Sequence, residues 1–408
     1  MTKPFALLTI NGGSSSIRFS CYEKEQVLQC VWSGVLDRIG QRESHFTVKD
    51  ATGVLKEKRT LNLSDHHAAI SFLLDWFEEE DVFASIKAVG HRVVHGMKHS
   101  KPELITEELL KELHQIIPYD PEHLPLEIGL IEDIRQRHPT LTQVACFDTA
   151  FHQTMPRIST LLPIPRRYDA MGIRRYGFHG LSYEFLKEEL LRLGDPAITK
   201  GRVILAHLGS GASMAALRDG KSIDTSMGFT PTSGLVMSSR SGDLDPGLVS
   251  YLARTERMSA TQFQKMVNHA SGLLGISETS SDMHDLLQRE KEDVRAAEAI
   301  ALFCYQAKKW LGAFAAALGG LDTLVFSGGI GENAPVIRTR ICEGLEFLGI
   351  ILDEKKNIAQ EGLISSAASR VTVRVVPTNE EKMIAKMVCR VLNLNNHENQ
   401  NPIAGVTS

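Results

Sequence analysis

Several things are scarce or missing in this 408-residue chain, and each absence closes a door. There is no basic excess: 45 Lys and Arg stand against 49 Asp and Glu, a net charge of -4. A protein that grips a phosphate backbone needs a basic surface, so nucleic acid is excluded as the main partner. No apolar run approaches the roughly 20 residues that cross a bilayer, which predicts no membrane partner. The start, "MTKPFALLTI", has neither the apolar length nor the cleavage site of a signal peptide. The six cysteines, Cys21, Cys30, Cys146, Cys304, Cys342 and Cys389, lack CxxC spacing. They read as core thiols of a reducing compartment, not as a zinc site or disulfide framework, and the protein is expected to be cytoplasmic. The phosphate loop GxxxxGK[ST] and the dinucleotide fingerprint GxGxxG are both missing.

What is present describes a loop-rich α/β enzyme: 43% apolar, 23% charged and 32 glycines. The length exceeds one ordinary core and points to two domains. Strands are expected at Phe5–Ile10 and Ile17–Tyr22 around a turn at residues 11–16, with another hairpin through "QVLQCVWSGV". Apolar spacing near 3.6 predicts helices over 65–82 and 106–117, and between them "SIKAVGHRVVHG" reads as a strand. "TQVACFDTAFH" is a further strand whose end presents Asp148 and His152, where ligand groups gather in α/β sheets. The second half restarts with "GRVILAHLGSGASMAAL" and the turn "RDGKS", a hairpin like the first. A Gly/Ser/Thr/Pro-rich loop at 224–247 is long enough to be functional. An Ala/Leu-rich helix at 292–318 stops at Gly319-Gly320. The strand "TLVF" leads into a glycine turn in "SGGIGENAPVIR", and "VTVRVV" into a last amphipathic helix; the tail from Asn395 reads as disordered. Two Gly/Ser hairpins, each offering backbone N–H groups and hydroxyls, suggest two walls around one polyphosphate.

The segments "NGGSSSIRF", "HRVVHG", "FDTAFH", "YGFHGLS", "HLGSGAS", "DTSMGFTP", "RSGDLDP", "GGIGEN" and "PTNEE" follow one another in this order. In that order the chain resembles the acetate kinases and their short-chain acyl kinase relatives. The resemblance implies a duplicated actin-like ATPase fold, that of sugar kinases, heat-shock chaperones and actin, with two domains and a central cleft. It divides the chain into 1–149 plus 381–396 on the acyl side, 150–380 on the nucleotide side with the dimer interface, and a tail at 397–408. It further implies acetate and ATP/ADP as substrates, a homodimer, and Mg²⁺, with Mn²⁺ as a substitute.

Residue by residue, the resemblance assigns Arg92 to the substrate carboxylate and the transferring phosphate, and Arg240 to the transition state. Arginine suits both tasks, since charge gathers on phosphoryl and carboxylate oxygens and a guanidinium donates in bidentate fashion. His179 would donate an N–H to the phosphoryl group. Asp148, at a buried strand end, is expected to hold one of the arginines, because a buried carboxylate needs a partner. A general base is unnecessary, acetate being already ionised at neutral pH. Val94, Leu124, Phe178 and Pro231 are implied as walls of the acyl pocket. For Mg²⁺, which favours oxygen ligands and keeps several waters, the implied pair is Asn11 and Glu380, with Glu381 the adjacent competitor. His91, His95 and His99 fall at i, i+4, i+8, but Gly90, Gly96 and Val93-Val94 argue against a metal-binding helix.

The nucleotide set is implied at Arg18, His207, Leu208, Gly209, Ser210, Gly211, Asp282, Met283, His284 and Gly329, Ile330, Gly331, Glu332, Asn333. Here the chain departs from the family. Arg18 stands for a usual lysine, Ser210 for asparagine and His284 for arginine, while Thr232-Ser233 and Ser238-Ser239 replace Leu-Glu and Gly-Thr. Alternatives on the same chemistry are propionate as acceptor or pyrophosphate as donor. A non-catalytic actin-like nucleotide sensor is a different class, and it would not require the carboxylate clamp of Arg92, Asp148, His179 and Arg240.

Overall fold

The computed structural model describes residues 5–13, 16–40, 42–80 and 83–394. It divides into two compact units, one holding Met1–Ala150 and the chain from Asn379 onward, the other Phe151–Thr378. The tail expected to be disordered lies outside the described residues.

The first unit is built on eight strands: β1 Phe5–Gly12, β2 Ser16–Lys24, β3 Leu28–Asp37, β4 Ser44–Asp50, β5 Leu55–Leu61, β6 Ile86–Val93, β7 Glu103–Leu104 and β8 Thr142–Phe147. Their order is β5-β4-β3-β2-β1-β6-β8-β7. Strands β1 to β5 meander antiparallel, and β1, β6 and β8 run parallel. The stretch expected to fold back on itself, "QVLQCVWSGV", lies mostly in the single strand β3; the bend falls before it, at residues 25–27.

Helices cover both faces of this sheet. Helix His66–Glu79 starts at Asp65, whose side chain takes the Ala68 N–H, and Glu107–Ile116 starts at Thr106 in the same way. Helices His66–Glu79 and Leu124–Arg137 pack Ile70, Leu73, Trp76, Leu130 and Ile134 onto Ala6, Leu8, Ile10 and Phe19. Strand alternation turns Gly90, next to Val89, to the opposite face. There helix Glu380–Val391 comes so close that a Cβ on Gly90 would sit 2.5 Å from Ile384 Cγ2.

The second unit repeats the pattern with β9 Arg202–Leu208, β10 Ala212–Arg218, β11 Lys221–Thr225, β12 Thr323–Ser327 and β13 Thr372–Val375. The order is β11-β10-β9-β12-β13, with β9 to β11 antiparallel and β9, β12, β13 parallel. Strand for strand this matches β3-β2-β1-β6-β8, so the chain is a duplicated α/β fold of the actin-like type. Helix Gly180–Arg192 covers one face through Tyr183, Leu186 and Leu190. Helix Val294–Leu318 starts at the Asp293 cap and ends at Gly319, in the left-handed region at φ 71°. Residues 226–246 form no helix or strand, yet they are tied down. The Arg175 guanidinium donates to three successive carbonyls, Thr225, Ser226 and Met227. Gly234 and Asp243 close the loop on itself. No helix among the described residues is long and apolar enough to cross a membrane.

Candidate active site

In the first unit the end of β6 carries Arg92, and the residue after β8 is Asp148, fully buried. Parallel pairing of β6 with β8 sets Arg92 opposite Cys146, two residues from Asp148. Arg92 Nε and Nη2 both donate to Asp148 Oδ2, at 3.0 and 2.6 Å, and Nη1 donates to the Gly12 carbonyl at 3.1 Å. Burial works against the guanidinium, but Asp148, Glu380 and Glu127 together hold it above its ordinary range. It is a fixed, permanent cation. Of the five N–H groups that a guanidinium carries, three are engaged here.

Val94 follows Arg92 by two residues and is buried, as is Phe178 in the other unit. Leu124 belongs to the core of its own unit, packed with Val93, Leu109, Leu113 and Phe147.

At the end of β1 the Asn11 amide donates to Glu380 Oε2 at 2.9 Å and to Glu381 Oε1 at 3.3 Å. These carboxylates open helix Glu380–Val391, which Asn379 caps. Burial and the like charge of Glu380 hold Glu381 above the usual carboxylate range. Two crowded carboxylates with one neutral donor between them are a donor set that fits a hard divalent cation. The amide turns its nitrogen to both carboxylates, which keeps Asn11 and Glu380 side by side. Arg18, exposed and paired with Asn11 across the hairpin, borders a cavity of about 420 Å³ with Lys49, Glu381 and Lys382.

In the second unit His179 sits at φ 59°, a left-handed conformation that a histidine adopts at some cost, just before helix Gly180–Arg192. Its Nδ1 meets Ser213 Oγ at 2.8 Å. A Cβ on Gly211 would stand 3.1 Å from His179 Nε2 and 3.7 Å from Arg240 Nη1. The hairpin turn, the histidine and the arginine therefore converge, and glycine is what leaves room between them. Arg240 Nη1 also donates to the Pro231 carbonyl. The His207 ring lies tilted at 31° against His179 with centroids 4.4 Å apart, and its Nδ1 meets Ser182, which bonds Thr378.

Hairpin Leu208–Gly211 abuts "GGIGEN". A Cβ on Gly328 would strike the Leu208 carbonyl, and one on Gly209 would lie 3.7 Å from the Gly329 nitrogen. The expected glycine turn is instead helix Gly328–Asn333. Glu332 does not face outward as a ligand: its Oε1 accepts from the Gly328 and Thr378 N–H groups, closing the turn. Asn333 donates to the Gly329 carbonyl. Ile330 is partly buried, and Ser210 is exposed, its carbonyl accepting the Ser238 N–H of the long loop. Asp282 caps helix Met283–Arg289 through the His284 and Asp285 N–H groups; Met283 is buried and His284 exposed.

The three spaced histidines have separate tasks. His91 meets Gln143 Oε1, and burial pushes it down to about 4. His95 accepts from the Met97 N–H, and His99 bridges Glu103 and Glu112. His152, flagged at a strand end, is buried between Ser222 and the Phe178 carbonyl, and is pushed down to about 4 by that burial. It holds the backbone beside His179.

Two buried groups escaped the sequence. Arg338, fully buried, donates to the Gly331 and Glu332 carbonyls and to Asn357, so it clamps the end of the short helix. Glu127, buried, accepts the Val94 N–H. A lone carboxylate inside "LPLEIGLI" was the available signal for the second; nothing marked the first.

Comparison with known proteins agrees over nearly the whole chain. The acetokinase family profile matches residues 6–386. The acetate kinase of Rhodopseudomonas palustris (strain TIE-1) is 43% identical over 392 residues, 94% of this chain and 98% of that one. That of Thermoanaerobacterium thermosaccharolyticum is 44% identical over 391 residues, 93% and 97% of the two chains. The crystal structure of Porphyromonas gingivalis acetate kinase superposes with a TM-score of 0.83 at 37% identity, covering 95% of this chain and 100% of that one. A propionate kinase from Francisella tularensis gives 0.86 at 38%, covering 94% and 98%. With the family's motifs in order and its fold in place, the chain belongs to the acetokinase family.

Proposed function

We propose that this chain is an acetate kinase, transferring a phosphoryl group reversibly from ATP to acetate by direct in-line attack and giving acetyl phosphate and ADP. The carrying observation is Arg92, a cation fixed by Asp148 with N–H groups left for a ligand. Acetate arrives ionised, so it needs a cation to hold it and no base to activate it. Asp148 acts by orienting Arg92.

His179 and Arg240 converge on Gly211 and supply donors for charge on the moving phosphoryl group. Mg²⁺, held by Glu380 with Asn11 orienting it, neutralises phosphate charge when bound. Gly209, Gly211 and Gly329 leave backbone bare for the nucleotide, and Val94, buried two residues after Arg92, borders the acyl group in the first unit. Family membership supports a homodimer joined through the second unit, and the composition a cytoplasmic location.

The acceptor side is tested by trapping the acyl phosphate as hydroxamate with Mg-ATP and acetate, propionate or butyrate. One methylene in an apolar pocket changes discrimination by about 1–3 kcal/mol. Propionate is therefore expected to work less well than acetate, and butyrate less again. Butyrate turnover equal to acetate would remove Val94 and its neighbours from the pocket, and propionate outrunning acetate would make the chain a propionate kinase.

A further inference from the structure

Glu127 is a buried carboxyl for which the chemistry above has no use. It stands on helix Leu124–Arg137 and is 2% exposed. Its Oε2 accepts the Val94 N–H at 2.9 Å, while Oε1 is buried with no hydrogen-bond partner among the described residues. Its Cγ lies 3.8 Å from where a Cβ on Gly12 would stand, and the Gly12 carbonyl takes Arg92 Nη1. Glu127 therefore bonds the backbone just past the end of β6 at Val94 and lies beside Gly12 at the end of β1.

We propose that Glu127 is the positioning residue of the carboxylate clamp. As a neutral acid it fixes Val94 and leaves Arg92 to Asp148 and the substrate; ionised, it becomes a rival anion that drives acetate out. This rests on the acetate kinase reading of the same site. Burial with one oxygen bare favours the neutral form and pushes the carboxyl up to about 8, with Asp120 and Asp148 adding to the rise and Arg92 and the Val94 N–H opposing it.

The charged groups around it are Arg92 on β6, Asp148 after β8 and Asp120 ahead of its own helix. Glu380 acts on Arg92, and His123 and His95 act on Asp120. Burial works against Asp120, but the bond from His123 and the two histidines hold it below the ordinary carboxylate range. Asp148 is locked by two bonds from Arg92. Of these carboxyls around the clamp, Glu127 is then the one whose charge changes just above neutrality.

The test follows ADP release from about pH 6 to about pH 10 in the wild type, Glu127→Gln and Glu127→Leu. In the wild type kcat/KM for acetate should fall about tenfold per pH unit above about pH 8, through KM for acetate while KM for ATP stays level. Glu127→Gln, which still accepts the Val94 N–H, should abolish that alkaline limb. Glu127→Leu, with no acceptor, should lower kcat/KM for acetate at every pH. Carbon-13 NMR of glutamate-labelled wild type should show one carboxyl, missing in the Gln variant, titrating near pH 8. An unchanged limb in Glu127→Gln, or a Glu127 resonance titrating in the ordinary acid range, would overturn the proposal. A wild type that ignores acetate would strike the kinase reading instead, and the NMR titration would still decide the state of Glu127.

Discussion

Arg92 and Arg240 are fixed by different means, and that difference shapes what each variant should do. Arg92 is held by a carboxylate, Arg240 by the Pro231 carbonyl within a tied loop. In the proposed mechanism, truncating either removes a donor to developing charge, worth about 10²-fold or more in kcat. Arg92→Ala and Arg240→Ala are each expected to lose at least that much while circular dichroism shows an intact fold. Arg92→Ala should also raise KM for acetate, since it removes the guanidinium that pairs with the buried Asp148. Wild-type turnover in either folded variant would take that residue out of the mechanism. At this scale the sequence spoke through residue type: a carboxylate at a buried strand end needed a cation, and it has Arg92. It placed Asn11 beside Glu380 but not the direction of the Asn11 amide, which depends on a rotation that no pattern encodes.

At the scale of elements, "GGIGEN" shows tertiary context overriding local propensity. Three glycines in six residues favour a turn, yet the segment is helical because its ends are satisfied from elsewhere. Glu332 accepts the Gly328 N–H, and the buried Arg338 donates to the Gly331 and Glu332 carbonyls. Arg338→Met would orphan those carbonyls, at about 1–3 kcal/mol for each one left without water. The expected outcome is lower stability in urea unfolding together with a raised KM for ATP and an unchanged KM for acetate. A rise confined to acetate would mean that this helix serves the other substrate. Strand β5 went unread for the complementary reason: "LKEKRTL" is an edge strand, mostly exposed and charged, so it carries no apolar alternation to detect. The long helix ending at Gly319 was legible because apolar period and stop signal agreed.

For the whole molecule, the matching orders β3-β2-β1-β6-β8 and β11-β10-β9-β12-β13 explain why one chain builds the same small-residue hairpin twice. Each copy turns where its sheet changes from antiparallel to parallel, one beside Asn11 and Arg92, the other at Gly209–Gly211. The departures Arg18, Ser210 and His284 are all surface-exposed, so they alter what a ligand meets without disturbing either core. In the proposed function a nucleoside polyphosphate is the donor, received by the bare backbone at Gly209, Gly211 and Gly329 of the second unit. The most direct test is kcat/KM for ATP, GTP and pyrophosphate, with acetate saturating and Mg²⁺ present. ATP should serve best, with GTP not far behind, because the guanidinium usual at position 284 is replaced by an exposed imidazole. Pyrophosphate as the best donor, or no acetyl phosphate from any nucleotide, would contradict the account.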